Sequence, residues 1–226
     1  MISLNRKGSV LAAQNLAEES FDNTVLLRNE PVQARSTARL AALLDSAAAV
    51  IDEIGYERLT TAMVAERAGA SIGTVYRYFP DRIVVLQGLS ARFLAQFTER
   101  IRLTVIETRH ESWLDAVNAC LDDIVTAFRR EPGFRSLRFG DVLDITPGPG
   151  SLSGNTVVAA LMADALRERF ELEGDHVAFH LEVALSLTDA LLARAFSASR
   201  KGDDRFVAEA KSVAHSYLVG IYGDPA

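Results

Sequence analysis

An all-α fold is what this sequence predicts, and three observations carry it. Apolar residues recur at threes and fours along most of the chain, strand-like alternation is absent, and the marked segments are bounded by capping residues, glycines and prolines. About nine helices follow from that reading, as a three-helix head (31–80) and a larger helical body (81–226), preceded by an arm (1–30).

The arm lacks a sustained apolar stripe. LAAQNLAEES could form a short helix, but nothing forces it to pack, so residues 1–30 are read as mobile. Helix one begins near Pro31, a favoured first-turn residue because its missing N–H would be unpaired there anyway. Leu40, Leu43, Ala47, Ile51 and Ile54 form its inner face, and Gly55 supplies a left-handed stop. Thr60 or Thr61 can cap a short helix two that ends at Gly69. Ser71 caps helix three, which ends before Pro80. Asp81 caps a long helix four, about 27 residues, with Leu86, Leu89, Phe93, Phe97, Ile101 and Val105 on its inner face. Ser112 and Asp115 make a capping box for helix five, which runs to about Arg130 and is stopped by Pro132-Gly133. Helix six is expected from Phe134 to about Leu143, before the loop TPGPGSLSGN (146–155). Helices seven, eight and nine are expected over about 156–172, 176–199 and 204–222.

Composition narrows the class. The 226 residues, 49% apolar and 24% charged, support a real core under a soluble surface. No stretch approaches the roughly 18 uncharged apolar residues of a membrane helix. Arg6 and Lys7 are followed by a weak apolar segment containing Gln14 and Asn15, which is not a secretory pattern, so a cytoplasmic location without membrane contact is expected. Cys120 is the one cysteine, which excludes an intrachain disulfide and a thiolate metal cluster; its context VNACLDDIV reads as a buried, inert thiol. The net charge of −6 argues at first against nucleic acid. Its distribution argues otherwise, because residues 111–226 hold 18 acidic against 11 basic groups while residues 35–82 hold six of each. Contact with DNA would have to come from the first 110 residues.

The stretch LTTAMVAERAGASIGTVYRYFPDR (59–82) is the informative one. A helix-turn-helix needs a small residue where its helices cross, a turn residue tolerant of positive φ, and an apolar anchor on the second helix. Ala65, Gly69 and Val75 stand at those relative positions, with Val64 and Ala68 completing the inward face. The second helix then presents Ser71, Thr74, Tyr76, Arg77 and Tyr78, and Arg82 follows. Hydroxyl, phenol and guanidinium groups are those that bond phosphate oxygens and base edges.

The run ERAGASIGTVYRYFPDR (66–82) resembles the signature of the TetR family, and VIDEIGYERLTTAMVAERAG (50–69) resembles that family's helix-one end and helix two. The resemblance implies a sequence-specific transcriptional regulator, a repressor released from a palindromic double-stranded DNA operator by a small-molecule effector; an activator or a ligand-independent regulator stay open as alternatives. It implies operator contacts from Thr74, Tyr76 and Tyr78, phosphate contacts from Thr61 and Arg82, and a close approach to the backbone at Ser71 and Gly73. Ile72 departs from the often basic or polar residue of the family and could touch a thymine methyl or simply pack. Arg77 is the candidate for reading a guanine.

The resemblance also implies an effector pocket, for which Phe93, Phe97, Trp113, Phe128, Phe139 and Met162 are candidates; the same side chains at helical spacing could each be plain core. It implies a homodimer whose terminal helices pair, with Ala184, Leu185, Thr188 and Leu192, then Ala210, Ala214, Tyr217 and Leu218, as candidate interface residues. His176 and His180, at i and i+4, read as a surface or interface pair rather than a metal site, since no further ligand is near in sequence. Without a Gly-rich phosphate loop, a nucleophile elbow or a dense acidic and histidine cluster, neither an enzyme nor a cofactor is expected.

Overall fold

Helix α1 (Glu30–Ile54) buries Leu43, Ala47 and Ile51 completely and ends at Gly55, whose φ of +83° no longer continues a right-handed helix. The computed structural model describes residues 30–138, 153–172, 174 and 176–225. The arm, Phe139, the remainder of the expected sixth helix and most of the 146–155 loop lie outside the described residues.

After a single 3₁₀ turn (Tyr56–Arg58) come α2 (Thr61–Arg67), α3 (Ile72–Tyr78) and α4 (Arg82–Ile101). Each starts on a side-chain cap. Met63 N donates to Thr60 Oγ1 at 3.2 Å, Thr74 N to Ser71 Oγ at 3.1 Å, and Val84 N to Asp81 Oδ1 at 3.0 Å. Helices α1, α2 and α3 close around Leu59, Val64, Val75 and Phe79, and α4 leads from this head into the body.

The body holds α5 (Trp113–Arg130), α6 (Phe134–Leu137), α7 (Gly154–Phe170), α8 (Val177–Ala195) and α9 (Asp204–Tyr222). The Ser112–Asp115 capping box forms as its spacing predicts. Three boundaries differ from the sequence reading. The long fourth helix changes to π geometry over Arg102–Glu107, where Thr104 Oγ1 donates to Asp123 at 2.6 Å and His110 Nε2 donates to the Thr104 carbonyl at 2.6 Å. Helix α6 stops after four residues rather than running to about Leu143, because Arg138 has a φ of +48°, and its guanidinium lies 3.3 Å from Asp189 on α8. Helix α8 ends at Ala195, where the chain turns to bury Phe196 with its ring stacked on Phe128 at 5.1 Å.

Among the described residues, no helix is long and apolar enough to cross a membrane. Cys120 is wholly buried; that burial, with the Asp123 charge added, pushes its thiol up to about 12.

Candidate nucleic-acid interface

The turn between α2 and α3 is made possible by Gly69, at φ +58°, while Ala70 N closes back on the Ala65 carbonyl at 2.9 Å. Val75 and Phe79 then lock α3 onto the head. With roughly 100° of rotation per residue, the rest of α3 is assigned by that anchoring. Gly73 and Arg77 stand opposite the core, Ile72 and Tyr76 share one flank, and Thr74 and Tyr78 share the other.

The expected contacts are therefore not equivalent. Tyr76 is 52% exposed and stands clear of the head. Tyr78 is half-buried, and its hydroxyl shares a 3.2 Å hydrogen bond with Ser36 Oγ of α1. Arg77 is exposed, lies 5.2 Å above the Tyr78 ring, and has no carboxylate partner among the described residues. Ile72 is 43% exposed, so part of its branched side chain is offered outward. Ser71 Oγ and Thr74 Oγ1 bond each other at 2.9 Å at the start of the helix. Arg82 donates to the Glu57 carbonyl at 2.8 Å, which ties the start of α4 to the 3₁₀ turn, and Thr61 opens α2 directly after its cap.

Several of the head's carboxylates are already matched. Arg67 grips Glu53 with two hydrogen bonds of 2.8 and 2.6 Å, and that hydrogen bonding holds the Glu53 carboxyl below its usual range. Asp45 is 2.7 Å from Arg92 of α4, and Asp52 is held by Arg135 and Arg200. What α3 presents outward is thus cationic, phenolic and hydroxylic, on a head in which Asp45, Asp52 and Glu53 are each paired with an arginine.

Farther along α4, Phe93 and Phe97 line a small open cleft, with room for about one water molecule, together with Gln96, Arg100, Ala127, Glu131 and Phe134. Arg100 and Glu131 stand 3.7 Å apart there. Phe134 meets Phe93 and Phe128 edge to face, each at 5.3 Å between ring centres. Trp113, Phe128 and Met162 do not line this cleft. They are buried among other core residues, Trp113 against the Tyr222 ring at 6.0 Å. Phe139 lies outside the described residues. Gln96, Arg100, Ala127 and Glu131 escaped the sequence reading because their roles arise only where α4 meets the end of α5.

The candidate dimer residues are packed mainly within the single chain. Ala184, Leu185, Thr188, Leu192, Ala210, Ala214 and Leu218 are all buried within the single chain, and Tyr217 is half-buried. The small side chains of Ala184, Ala210 and Ala214 let α8 and α9 lie close together within the chain. The outward apolar residues of these two helices are Phe179 at 59% exposure, Leu187 and Ile221. His176 and His180 diverge as well. His180 Nδ1 shares a 2.7 Å hydrogen bond with the Tyr222 hydroxyl, while His176 sits exposed ahead of α8 with φ +67°.

Comparison with known proteins agrees with this layout. Residues 43–85 match the family model described as "Bacterial regulatory proteins, tetR family", and residues 111–222 match "Tetracyclin repressor-like, C-terminal domain". The HTH-type transcriptional repressor KstR of Rhodococcus jostii is 30% identical over 130 residues, 58% of this chain and 55% of that protein. A nucleoid occlusion factor SlmA, from Idiomarina loihiensis, is 29% identical over 101 residues, 45% of this chain and 50% of the relative. The chain thus spans about half the length of the curated relatives it matches. Among solved structures, a TetR-family transcriptional regulator from Streptomyces coelicolor is 29% identical with a TM-score of 0.68, covering 81% of this chain and 99% of that one. A TetR-family transcriptional regulator from Pectobacterium atrosepticum shares the fold at 17% identity, with a TM-score of 0.66 over 88% of this chain and 100% of the other.

Proposed function

We propose, on the premise that this chain belongs to the TetR family of DNA-binding transcriptional regulators and is not an enzyme, that it represses from a palindromic operator as a cytoplasmic homodimer and is released by a small molecule. The observation that carries the proposal is the outward face of α3. A seven-residue helix, capped by Ser71 and anchored by Val75 and Phe79, directs Tyr76 and Arg77 away from the head. A guanidinium forked toward a guanine, a phenol toward a phosphate and an exposed Ile72 near a thymine methyl are together a set that can read a major groove.

One head covers too few base pairs for specificity, so two copies are needed on two half-sites. The outward faces of α8 and α9, with Phe179, Leu187 and Ile221, are the surface proposed for the partner. Release is proposed to work through α4. It starts at the head with Arg82 and passes Phe93 and Phe97 at the cleft. A molecule wedged beside those rings would tilt the helix and change the separation of the two heads, and half-sites one helical turn apart tolerate little splay. About 1–3 kcal/mol of differential affinity for the tilted state is the usual size of such coupling.

The test is selection of duplexes from a random pool by the purified protein, followed by binding titrations. A palindromic site should emerge, and its affinity should fall with salt at a log–log slope of about −0.9 per neutralised phosphate. Arg77→Ala should cost about 1–3 kcal/mol and relax one base position in each half-site. Enrichment of no sequence, or a flat salt response, would end the DNA-binding reading; unchanged preference in Arg77→Ala would remove that residue from readout.

A further inference from the structure

Asp52, near the end of α1, is the one residue of the head that receives three separate donors from the body among the described residues. Its Oδ1 accepts from the Gly133 N–H at 3.3 Å and from Arg135 at 3.4 Å, and its Oδ2 accepts from Arg200 Nε at 3.1 Å and from the Arg200 Nη2. The Asp52 side chain is only 14% exposed. The contact is close on the backbone too, since a Cβ on Gly133 would lie 3.0 Å from the Ala48 carbonyl oxygen and 3.4 Å from Ile51 Cγ2. Burial alone would push the Asp52 carboxyl up, but the bonds from Arg200 and Gly133 and the charges of Arg200 and Arg135 outweigh it and hold the group below its ordinary value.

Two of the three donor residues on Asp52, Gly133 and Arg135, belong to the same short turn that closes the aromatic cleft. Glu131 and Phe134 line the cleft, while Gly133 and Arg135, their neighbours in the chain, grip the head. Phe134 is buried with its ring against Phe93 and Phe128, and Gly133 beside it is pressed against α1, so an occupant that displaces the ring bears on a short and tightly packed turn. Arg200 joins the cluster from beyond α8, so the head is clamped from two parts of the body.

We propose that the Glu131–Arg135 turn is a latch which transmits occupancy of the Phe93–Phe97–Phe134 cleft to the head by loosening its hold on Asp52. This rests on reading the cleft as the effector site, and it adds to the tilt of α4 a second connection, running through α1. Asp52 acts here as a positioning residue: it fixes how the head sits on the body and touches no DNA.

Ala127, a buried cleft residue, allows an occupant to be built in. In the full-length protein, Ala127→Leu fills the cleft, Asp52→Asn and Arg200→Gln open the latch, and Arg200→Lys keeps its charge. Hydrogen–deuterium exchange over residues 45–58 reports on the latch, with residues 154–170 as an internal reference. Exchange there should rise about 10-fold in Asp52→Asn and Arg200→Gln, with Arg200→Lys restoring most of the protection. Ala127→Leu should raise it by a similar factor, but by less than about 3-fold when added to Asp52→Asn. Affinity for the duplex selected by the unmodified protein should follow the same non-additive pattern. Ala127→Leu effects that add in full to those of Asp52→Asn, or that leave residues 45–58 untouched, would overturn the latch. If Ala127→Leu does not fold, Ala127→Val gives the smaller occupant and the same decision. Should no duplex be selected at all, the DNA reading fails while the exchange pattern still decides the latch.

Discussion

Substituting Gly133 by alanine tests the head–body contact directly, and its cost can be worked from the structure. Gly133 sits at φ +77°, where an L-residue loses roughly 1–2 kcal/mol. The added Cβ would lie 3.0 Å from Ala48 O and 3.3 Å from Ala48 Cα, both backbone atoms of α1 that cannot rotate away. Pushing a well-packed helix aside by a few tenths of an ångström adds about 1–3 kcal/mol. The total for Gly133→Ala is therefore about 2–5 kcal/mol. Gly69→Ala is the matched control. Gly69 has a φ of +58°, and a Cβ there would meet nothing within 4 Å, which leaves the conformational part alone, about 1–2 kcal/mol. Urea unfolding followed by circular dichroism, with midpoints converted through the shared m-value, gives both losses on one scale. Gly133→Ala should lose distinctly more. Equal losses in the two variants would refute the claim that α1 presses on this turn.

Three further outcomes follow from local chemistry. Cys120, with its thiol raised to about 12 by burial and the Asp123 charge, should not react with a thiol-specific reagent in the native protein near pH 8, and should react on unfolding; rapid native labelling would mean the core around α5 opens readily. Asp52 has a depressed folded pKa, so its stabilising contribution is present above its ordinary value of 3.8 and is lost as pH falls through the lower folded value; the urea-midpoint gap between the unmodified protein and Asp52→Asn should narrow as pH falls below 3.8, and a gap that stays constant or widens there would contradict this. Ser112→Ala removes half of the α5 capping box and should cost about 1 kcal/mol, whereas no loss would show that solvent caps the helix as well as the side chain does.

Much of the molecule was legible in the sequence because its signals are local. Caps at Ser71, Asp81 and Ser112, and stops at Gly55 and Gly69, act over three or four residues, so the residue types at those spacings already determine where the helices begin and end. The apolar pattern placed Val75 and Phe79 inward and so left Arg77 facing out. Identical local signals leave other questions open, and only the tertiary structure decided them. Tyr76 and Tyr78 are both phenols on α3; a hydroxyl 42 residues away, on Ser36, is what turns Tyr78 toward α1. The stripe of small residues on α8 and α9 suits either a second subunit or the neighbouring helix, and the short connection between these two helices brings them together within one chain. Asp52 looks like one more solvated carboxylate on α1, because its partners Gly133 and Arg200 lie 81 and 148 residues farther along. Helical periodicity records which face of a helix is buried, but not what buries it, and that second fact belongs to the packing of the whole chain.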